Sequence, residues 1–363
     1  MTPLKLLKRI VLRAAHATRV SHLVLNSPWR RNRLAILCYH AATNDDECEC
    51  FPGFFMSASM FRERLEFLRQ TGANILPLGE ALRRLYSGSL PPRSVALTLD
   101  DGFHAAYRHC RPVLREYGYP YTVYLTTYYL EYNRPVFDPM CGYLLWKARG
   151  RQLAWDGILP SPVTLDGNGR ADAASAIYRH AVQRGLSGRD KDALLAELAG
   201  RLNIDYEALC RKRILHLVNP EEAGAWAEEA DIQLHTHRHR VSERKDVLYA
   251  QLEKNRERLE RITGKPCRHL AYPGGACLPV YSQWLREFGL ESAVTCQTGL
   301  ASRRSDQMFL PRVMESERVT LTELAGWITG VNGFLPVRRV DRQPGMRTQF
   351  LEHDEDILKA AGA

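Results

Sequence analysis

Apolar positions along this chain follow two alternating styles. Short continuous runs that end in polar residues read as buried strands, and segments whose apolar positions recur every three to four residues read as helices. "LAILCYH" (34 to 40) is the first such strand, followed by a helix in "SASMFRERLEFLRQTG" (57 to 72) that stops at glycine. "ANILPL" predicts a short strand, "GEALRRLYSG" a helix, "SVALTLDDG" a strand, "FHAAYRHCRPVLREYG" a helix and "YTVYLTT" another strand. Repeated strand–helix alternation of this kind predicts parallel strands covered by helices.

Between about residues 131 and 226 the alternation pauses. "ADAASAIYRHAVQRG" and "KDALLAELAGRLNI" are rich in helix formers, so this stretch reads as a mostly helical insertion. The alternation resumes with "ADIQLHTHRH" and a long helix in "RKDVLYAQLEKNRERLERITGK". Next come "CRHLAYPGG", a helix in "LPVYSQWLREFG", strands in "ESAVTC" and "FLPRV", and a last helix from "TLTELAGWITG". The predicted organisation is a basic helical segment over 1–33, one α/β domain over 34–334 carrying the insertion, and a charged tail over 335–363.

In the first 33 residues, basic residues interrupt every apolar run before it reaches signal-peptide or membrane-spanning length, so no export is expected. Leu4, Leu7, Val11 and Ala15 recur at helical spacing, with Lys5, Lys8, Arg9 and Arg13 on other faces. That pattern fits two arrangements: an interfacial helix resting on anionic lipid, or a helix packed on the protein's own surface. The expected location is cytoplasmic, with peripheral contact to the inner face of the membrane under the first arrangement.

Of the 363 residues, 45% are hydrophobic, enough to bury a sizeable core. A formal net charge of +9 fits either acidic partners or a solvated basic surface. Nucleic acid is not expected, because no aromatic-basic binding module is present. The nine cysteines are an odd number, most of them scattered through segments that read as regular structure, a pattern of reduced thiols rather than a disulfide framework. Cys48 and Cys50, in "ECEC", read as loop residues.

Two adjacent carboxylates, Asp100 and Asp101, close the strand "LTLDDG". Side by side they repel, and burying either without a partner is costly, so a cation is expected nearby. Parallel α/β folds place their ligand sites at the carboxyl ends of the strands. Other strand ends present His40, the pair His235 and His239, and Tyr272 with Pro273. The two histidines converge on one ion if the chain turns into a helix after His235, since positions i and i+4 share a helical face. One carboxylate with two imidazoles is an open catalytic set suited to zinc, and cobalt, nickel or iron satisfy the same ligands. His237 is expected to point elsewhere.

The ordered set "LTLDDG", "HTHRH" and "AYPGG" resembles the motifs of the polysaccharide deacetylases with the NodB homology domain, carbohydrate esterase family 4. "ILCYH" is similar to the Tyr-His strand that opens the domain in the family's cell-surface glycan branch. The resemblance covers roughly 34 to 130 and 227 to 330, and implies a distorted (β/α)7 barrel. It implies that Asp101, His235 and His239 hold a divalent metal and that Asp100 is the general base acting on the attacking water. A backbone N–H in the turn at Tyr272, Pro273 and Gly274 would stabilise the oxyanion.

Two departures from the family pattern stand out. Ala271 occupies the position where many relatives carry an arginine that pairs with the base. Arg312 in "FLPRV" is the expected replacement, with Arg268 a weaker one. The late Leu-x-His motif that usually supplies the acid is also missing, since the only histidine after residue 290 is His353, so His40 is the candidate acid. The implied activity is metal-dependent removal of N-acetyl groups from sugars of a polysaccharide or lipid-linked glycan precursor, releasing acetate. The alternatives are an O-acetyl esterase on the same barrel and a non-catalytic glycan-binding barrel.

Overall fold

The computed structural model describes residues 3–43 and 45–336. The predicted tail, with His353, lies outside the described residues from 337 onward.

Seven parallel strands close into a barrel: β1 (Arg33–Tyr39), β2 (Ser94–Asp101), β3 (Tyr121–Leu125), β4 (Asp231–Leu234), β5 (His269–Ala271), β6 (Ser292–Thr298) and β7 (Leu310–Met314). Each pairs with the next in chain order, and β7 returns to β1 through Leu37↔Val313 and Cys38↔Met314. Ala301–Ser302 adds an antiparallel pair to β1, and Asn74–Ile75 a parallel pair to β2. The helices include α1 (Pro3–Ala17), α2 (Ala58–Gln70), α3 (Leu78–Ser87), α4 (Arg111–Tyr117), α5 (Lys245–Thr263), α6 (Tyr281–Glu287) and α7 (Leu321–Thr329). This is the distorted (β/α)7 barrel that the family resemblance implies, and it agrees with the alternation.

Side chains alternate across each strand, which separates two apolar layers. Leu34, Ile36, Ala96, Tyr124, Ala271, Val294 and Leu310 form one buried cluster with Leu78, Ala81, Leu82 and Leu85 of α3. The opposite strand faces, among them Ala35, Leu37, Val95, Leu97 and Leu99, join the larger core beneath the surrounding helices.

Local departures have local causes. The helix predicted from "FHAAYRHC" contains a π-helical turn, Ala106–Cys110, in which the Arg111 N–H bonds to the Ala106 carbonyl. Pro112 follows and has no N–H to continue the ordinary ladder. Cys48 and Cys50, read as loop residues, lie in a single helical turn, Glu47–Cys50.

Between β3 and β4 the chain is mainly helical, including Phe137–Lys147, Gly167–Gln183, Gly188–Arg201 and Pro220–Ala227. Its last part is strapped to the mouth of the barrel. The His104 N–H donates to the His216 carbonyl at 2.8 Å, and the Val218 N–H to the Gly102 carbonyl at 3.0 Å.

Candidate active site

Strand alternation alone cannot aim Asp100 and Asp101 at one place, because successive side chains point to opposite faces. Asp101 breaks the alternation by taking a left-handed backbone, φ 71°, and Gly102 follows at φ 85°. A Cβ on Gly102 would lie 2.0 Å from Leu125 Cδ1, so only glycine fits where the chain leaves the strand.

Asp100 stays inside the barrel, 3% exposed, where Arg312 reaches it from β7. The fully buried guanidinium donates from Nη1 to Oδ1 and from Nη2 to Oδ2, both at 2.7 Å. Its Nη1 also donates to Thr98 Oγ1 and its Nε to the Thr295 carbonyl, so the fork is held at both ends. Burial by itself would raise the Asp100 pKa, but the charge and hydrogen bonds of Arg312 overcome it and hold the carboxyl below its usual range. Burial pushes the Cys38 thiol well up, so it stays protonated and donates to Asp100 Oδ2 at 3.4 Å. Arg268, the weaker candidate, pairs instead with Glu291 at the surface.

His235 and His239 both bring Nε2 to Asp101 Oδ1, at 3.0 and 3.2 Å. One ligand atom from each of the three residues lies within 4.8 Å of the others. The route differs from the expected helical turn: β4 ends at Leu234, and the following residues form an irregular bend with Thr236 and His239 in left-handed conformations. A bend of this kind turns the second ring back toward the first within four residues, which an extended strand would not.

A network of buried polar groups outside the motifs holds that bend. Asn255 Oδ1 of α5 accepts from the His235 N–H at 3.0 Å, while its Nδ2 donates to the Leu125 carbonyl and Thr127 Oγ1. Thr127 Oγ1 also meets His237 Nδ1 at 2.9 Å, so His237 faces away from Asp101, as expected. Gln251 accepts from Arg238 N–H. Asn255 belongs to none of the motifs, and its one signal in the sequence is that it interrupts the apolar stripe Leu248, Leu252 and Leu259, where a further leucine would fit.

The ring of His235 shows what the cluster is built to hold. Its Nδ1 lies 2.8 Å from the Ala271 carbonyl and donates there, so in the neutral ring Nε2 carries a lone pair. That lone pair faces a carboxylate oxygen, which is also an acceptor, and a cation between them resolves the conflict. Burial works against a charged His235, but the hydrogen bond to Asp101 and the two carboxylate charges outweigh it and raise the ring's pKa. Burial of Asp101 is likewise outweighed, by His239 and His235, and its carboxyl is held well below the usual range. Burial dominates at His239 and lowers its pKa, leaving a neutral ligand. Arg312 balances one carboxylate of the pair, and one negative charge remains. The donor set fits a divalent ion, and the 32% exposure of the His239 side chain against 2% for His235 leaves one side open to a ligand.

Two other residues named from the sequence behave differently from each other. His40, 8% exposed, sits close enough to both aspartates to help lower their pKa values, has its Nδ1 buried without a hydrogen-bond partner, and meets the Phe54 ring edge-on at 5.2 Å. Tyr272 does not face a ligand. Its ring is buried beside Tyr281 and Phe309, and its hydroxyl donates to the Met308 carbonyl at 2.8 Å. It braces the turn from below, because an aromatic ring gains more from the core than from the barrel mouth. Pro273 is buried in a short 3-10 turn, and Gly274 follows at φ 57°.

A closed parallel barrel brings one carboxylate and two imidazoles together at its strand ends, beside a buried carboxylate–arginine pair, a donor arrangement that fits an open metal site. The family model described as polysaccharide deacetylase matches residues 87–159 and 198–293. This chain belongs to the polysaccharide deacetylase family.

Among curated relatives, the poly-beta-1,6-N-acetyl-D-glucosamine N-deacetylase of Staphylococcus epidermidis is 26% identical over 147 residues, covering 35% of this chain and 51% of that protein. The enzyme of the same name from Escherichia coli K12 is 27% identical over 100 residues, 27% of this chain and 14% of that protein. The chain therefore spans about half the length of the first relative and far less of the second. Among solved structures, the Streptococcus pyogenes deacetylase PplD in complex with acetate aligns with a TM-score of 0.54 at 16% identity, over 82% of this chain and 98% of that one. IcaB from Ammonifex degensii aligns with a TM-score of 0.50 at 19% identity, over 82% and 97%. At these identities the structural likeness speaks for the fold.

Proposed function

We propose that this chain is a metal-dependent deacetylase that removes N-acetyl groups from a glucosamine-containing polymer or its lipid-linked precursor. The observation that carries the reading is the convergence of Asp101, His235 and His239 beside an Asp100 locked to Arg312. The names of the curated relatives support an N-acetylglucosamine polymer as substrate class. The nine cysteines, all free thiols, support a reducing compartment and hence the cytoplasmic side.

A divalent cation held by Asp101, His235 and His239 supplies Lewis acidity toward the acetamide carbonyl and toward water. Zinc suits two imidazoles and a carboxylate best. Asp100 takes the proton from the attacking water, and Arg312 keeps that base ionised and aimed. In the turn that follows β5, Pro273 lacks an N–H, while the amides of Tyr272, Gly275 and Ala276 are already bonded to Val294, Tyr272 and Pro273 carbonyls. The Gly274 amide is the one assigned to the oxyanion. His40 gives a proton to the departing nitrogen as the C–N bond breaks. One amide and one water become acetate and a free amino sugar.

The test is acetate release from β-1,6-linked N-acetylglucosamine oligomers, chitooligosaccharides, peptidoglycan fragments and lipid-linked sugars, before and after chelation. Chelator-sensitive release from an N-acetylated substrate is the expected result. Release from O-acetylated sugars alone would convert the reading to an esterase, and binding without release to a glycan-binding barrel.

A further inference from the structure

Helix α1 has two apolar faces, and the barrel uses one. Leu12 (1% exposed) and Ala15 pack against α7 and Val331, where a Cβ on Gly326 would approach Leu12 Cδ2 to 2.6 Å. The helix therefore does pack on the protein's own surface, one of the two arrangements its sequence allowed. On the other side, Leu6, Leu7, Ile10 and Val11 remain 48%, 57%, 55% and 37% exposed. At 100° per residue these four span about 140° of arc, roughly opposite the docked face. Leu23, on the following helix, is 70% exposed.

The N-terminal segment itself carries charge of one sign. Residues 1–44 contain eight Lys or Arg residues and no Asp or Glu, the first acid being Asp45. Arg13 and Arg19 are exposed. Such a surface would repel a second copy of itself and attract an anionic one. A helix of 15 residues is too short to cross a bilayer, so any contact it made with one would lie in the surface plane.

Its position relative to the site follows from Arg9, which pairs with Glu323 at 3.1 Å. Glu323 lies in the first turn of α7, the helix that follows β7, and so marks the end of the barrel where the strands terminate. Leu12 lies further along α7, so the exposed face of α1 begins at the end that carries Asp101, His235 and His239.

We propose that the outward face of α1, formed by Leu6, Leu7, Ile10 and Val11 with Arg13 and Arg19, docks on an anionic phospholipid bilayer. It thereby holds the mouth of the barrel at the lipid surface. This inference stands independently of the catalytic reading, because binding is measured without turnover.

The test is co-sedimentation of the full chain with phosphatidylcholine vesicles and with mixed phosphatidylcholine–phosphatidylglycerol vesicles, at low and high salt. The expected result is binding to the mixed vesicles alone, weakened by salt. Leu7→Asp with Ile10→Asp should lower partitioning by about tenfold or more, and Arg13→Glu with Arg19→Glu by on the order of tenfold. Both pairs are solvent-facing, so melting temperature and any acetate release from a soluble substrate should stay at the wild-type level. Binding that ignores vesicle charge, absence of binding, or variants that bind like the wild type would each overturn the proposal. So would a concentration-dependent dimer, abolished by Leu7→Asp with Ile10→Asp, in a protein that leaves vesicles alone.

Discussion

Arg312 on the seventh barrel strand meets Asp100 on the second through two parallel hydrogen bonds of 2.7 Å, with both side chains almost wholly out of solvent. A buried pair of this kind is demanding: its attraction repays the desolvation only while both partners and their further hydrogen bonds are present. Arg312→Met should therefore cost about 3–5 kcal/mol by leaving the Asp100 charge unpaired. Adding Asp100→Asn to that variant should recover part of the loss. Urea unfolding of the two single variants and the double variant checks this, and simple additivity would contradict it.

The proposed division of labour between the aspartates predicts different losses. Asp100→Asn should retain bound metal while losing about 10²–10⁴-fold in turnover. His235→Ala and Asp101→Ala should lose metal and activity together. Metal content by atomic emission beside acetate release separates the cases, and loss of metal from Asp100→Asn would reverse the assigned roles.

Asn255 is predicted to tune the metal site without touching it. Asn255→Leu removes the acceptor of the His235 N–H and two donations to β3 and its following loop, which should cost about 1–3 kcal/mol. Loosened support of a ligand should also weaken metal affinity by about 10–100-fold. A competition assay with a chromophoric chelator reads the affinity directly; an unchanged value would confine Asn255 to the core.

Acid should weaken the fold through His216, the strap residue beside the barrel mouth. Burial lowers its pKa to about 4, although its hydrogen bond with the Ile214 carbonyl works the other way. An unfolded imidazole takes up a proton near its usual value of about 6.5, whereas the folded one waits until about pH 4. Across that window the unfolded state binds more protons, so stability is greatest above pH 6.5 and declines as pH falls, by about 1.4 kcal/mol per pH unit at most for this group. His216→Gln should flatten the decline seen in denaturant titrations at pH 7 and pH 5. An equally steep decline would place the acid sensitivity elsewhere.

Much of this protein was legible in one dimension. The alternation of apolar runs with helical periodicity determined parallel strands covered by helices, because period-2 and period-3.6 patterns bury different faces whatever surrounds them; closure into a seven-stranded barrel was implied only by the family resemblance. The aspartate pair, the spaced histidines and the turn with Pro273 could be read as one site, because barrel topology sends every strand end to the same mouth. Arg312 was reachable only through the family resemblance, as the replacement for the arginine that Ala271 displaces. What only tertiary structure decided was orientation. The left-handed Asp101 and the irregular bend that carries His235 to His239 depend on contacts with Leu125, Thr127 and Asn255, residues far apart in the chain. Tyr272 was drawn into the core by Tyr281 and Phe309, and the second apolar face of α1 showed itself only once Leu12 and Ala15 had taken the first. Residue type and spacing state which chemistry is available; packing against distant segments decides where each side chain points.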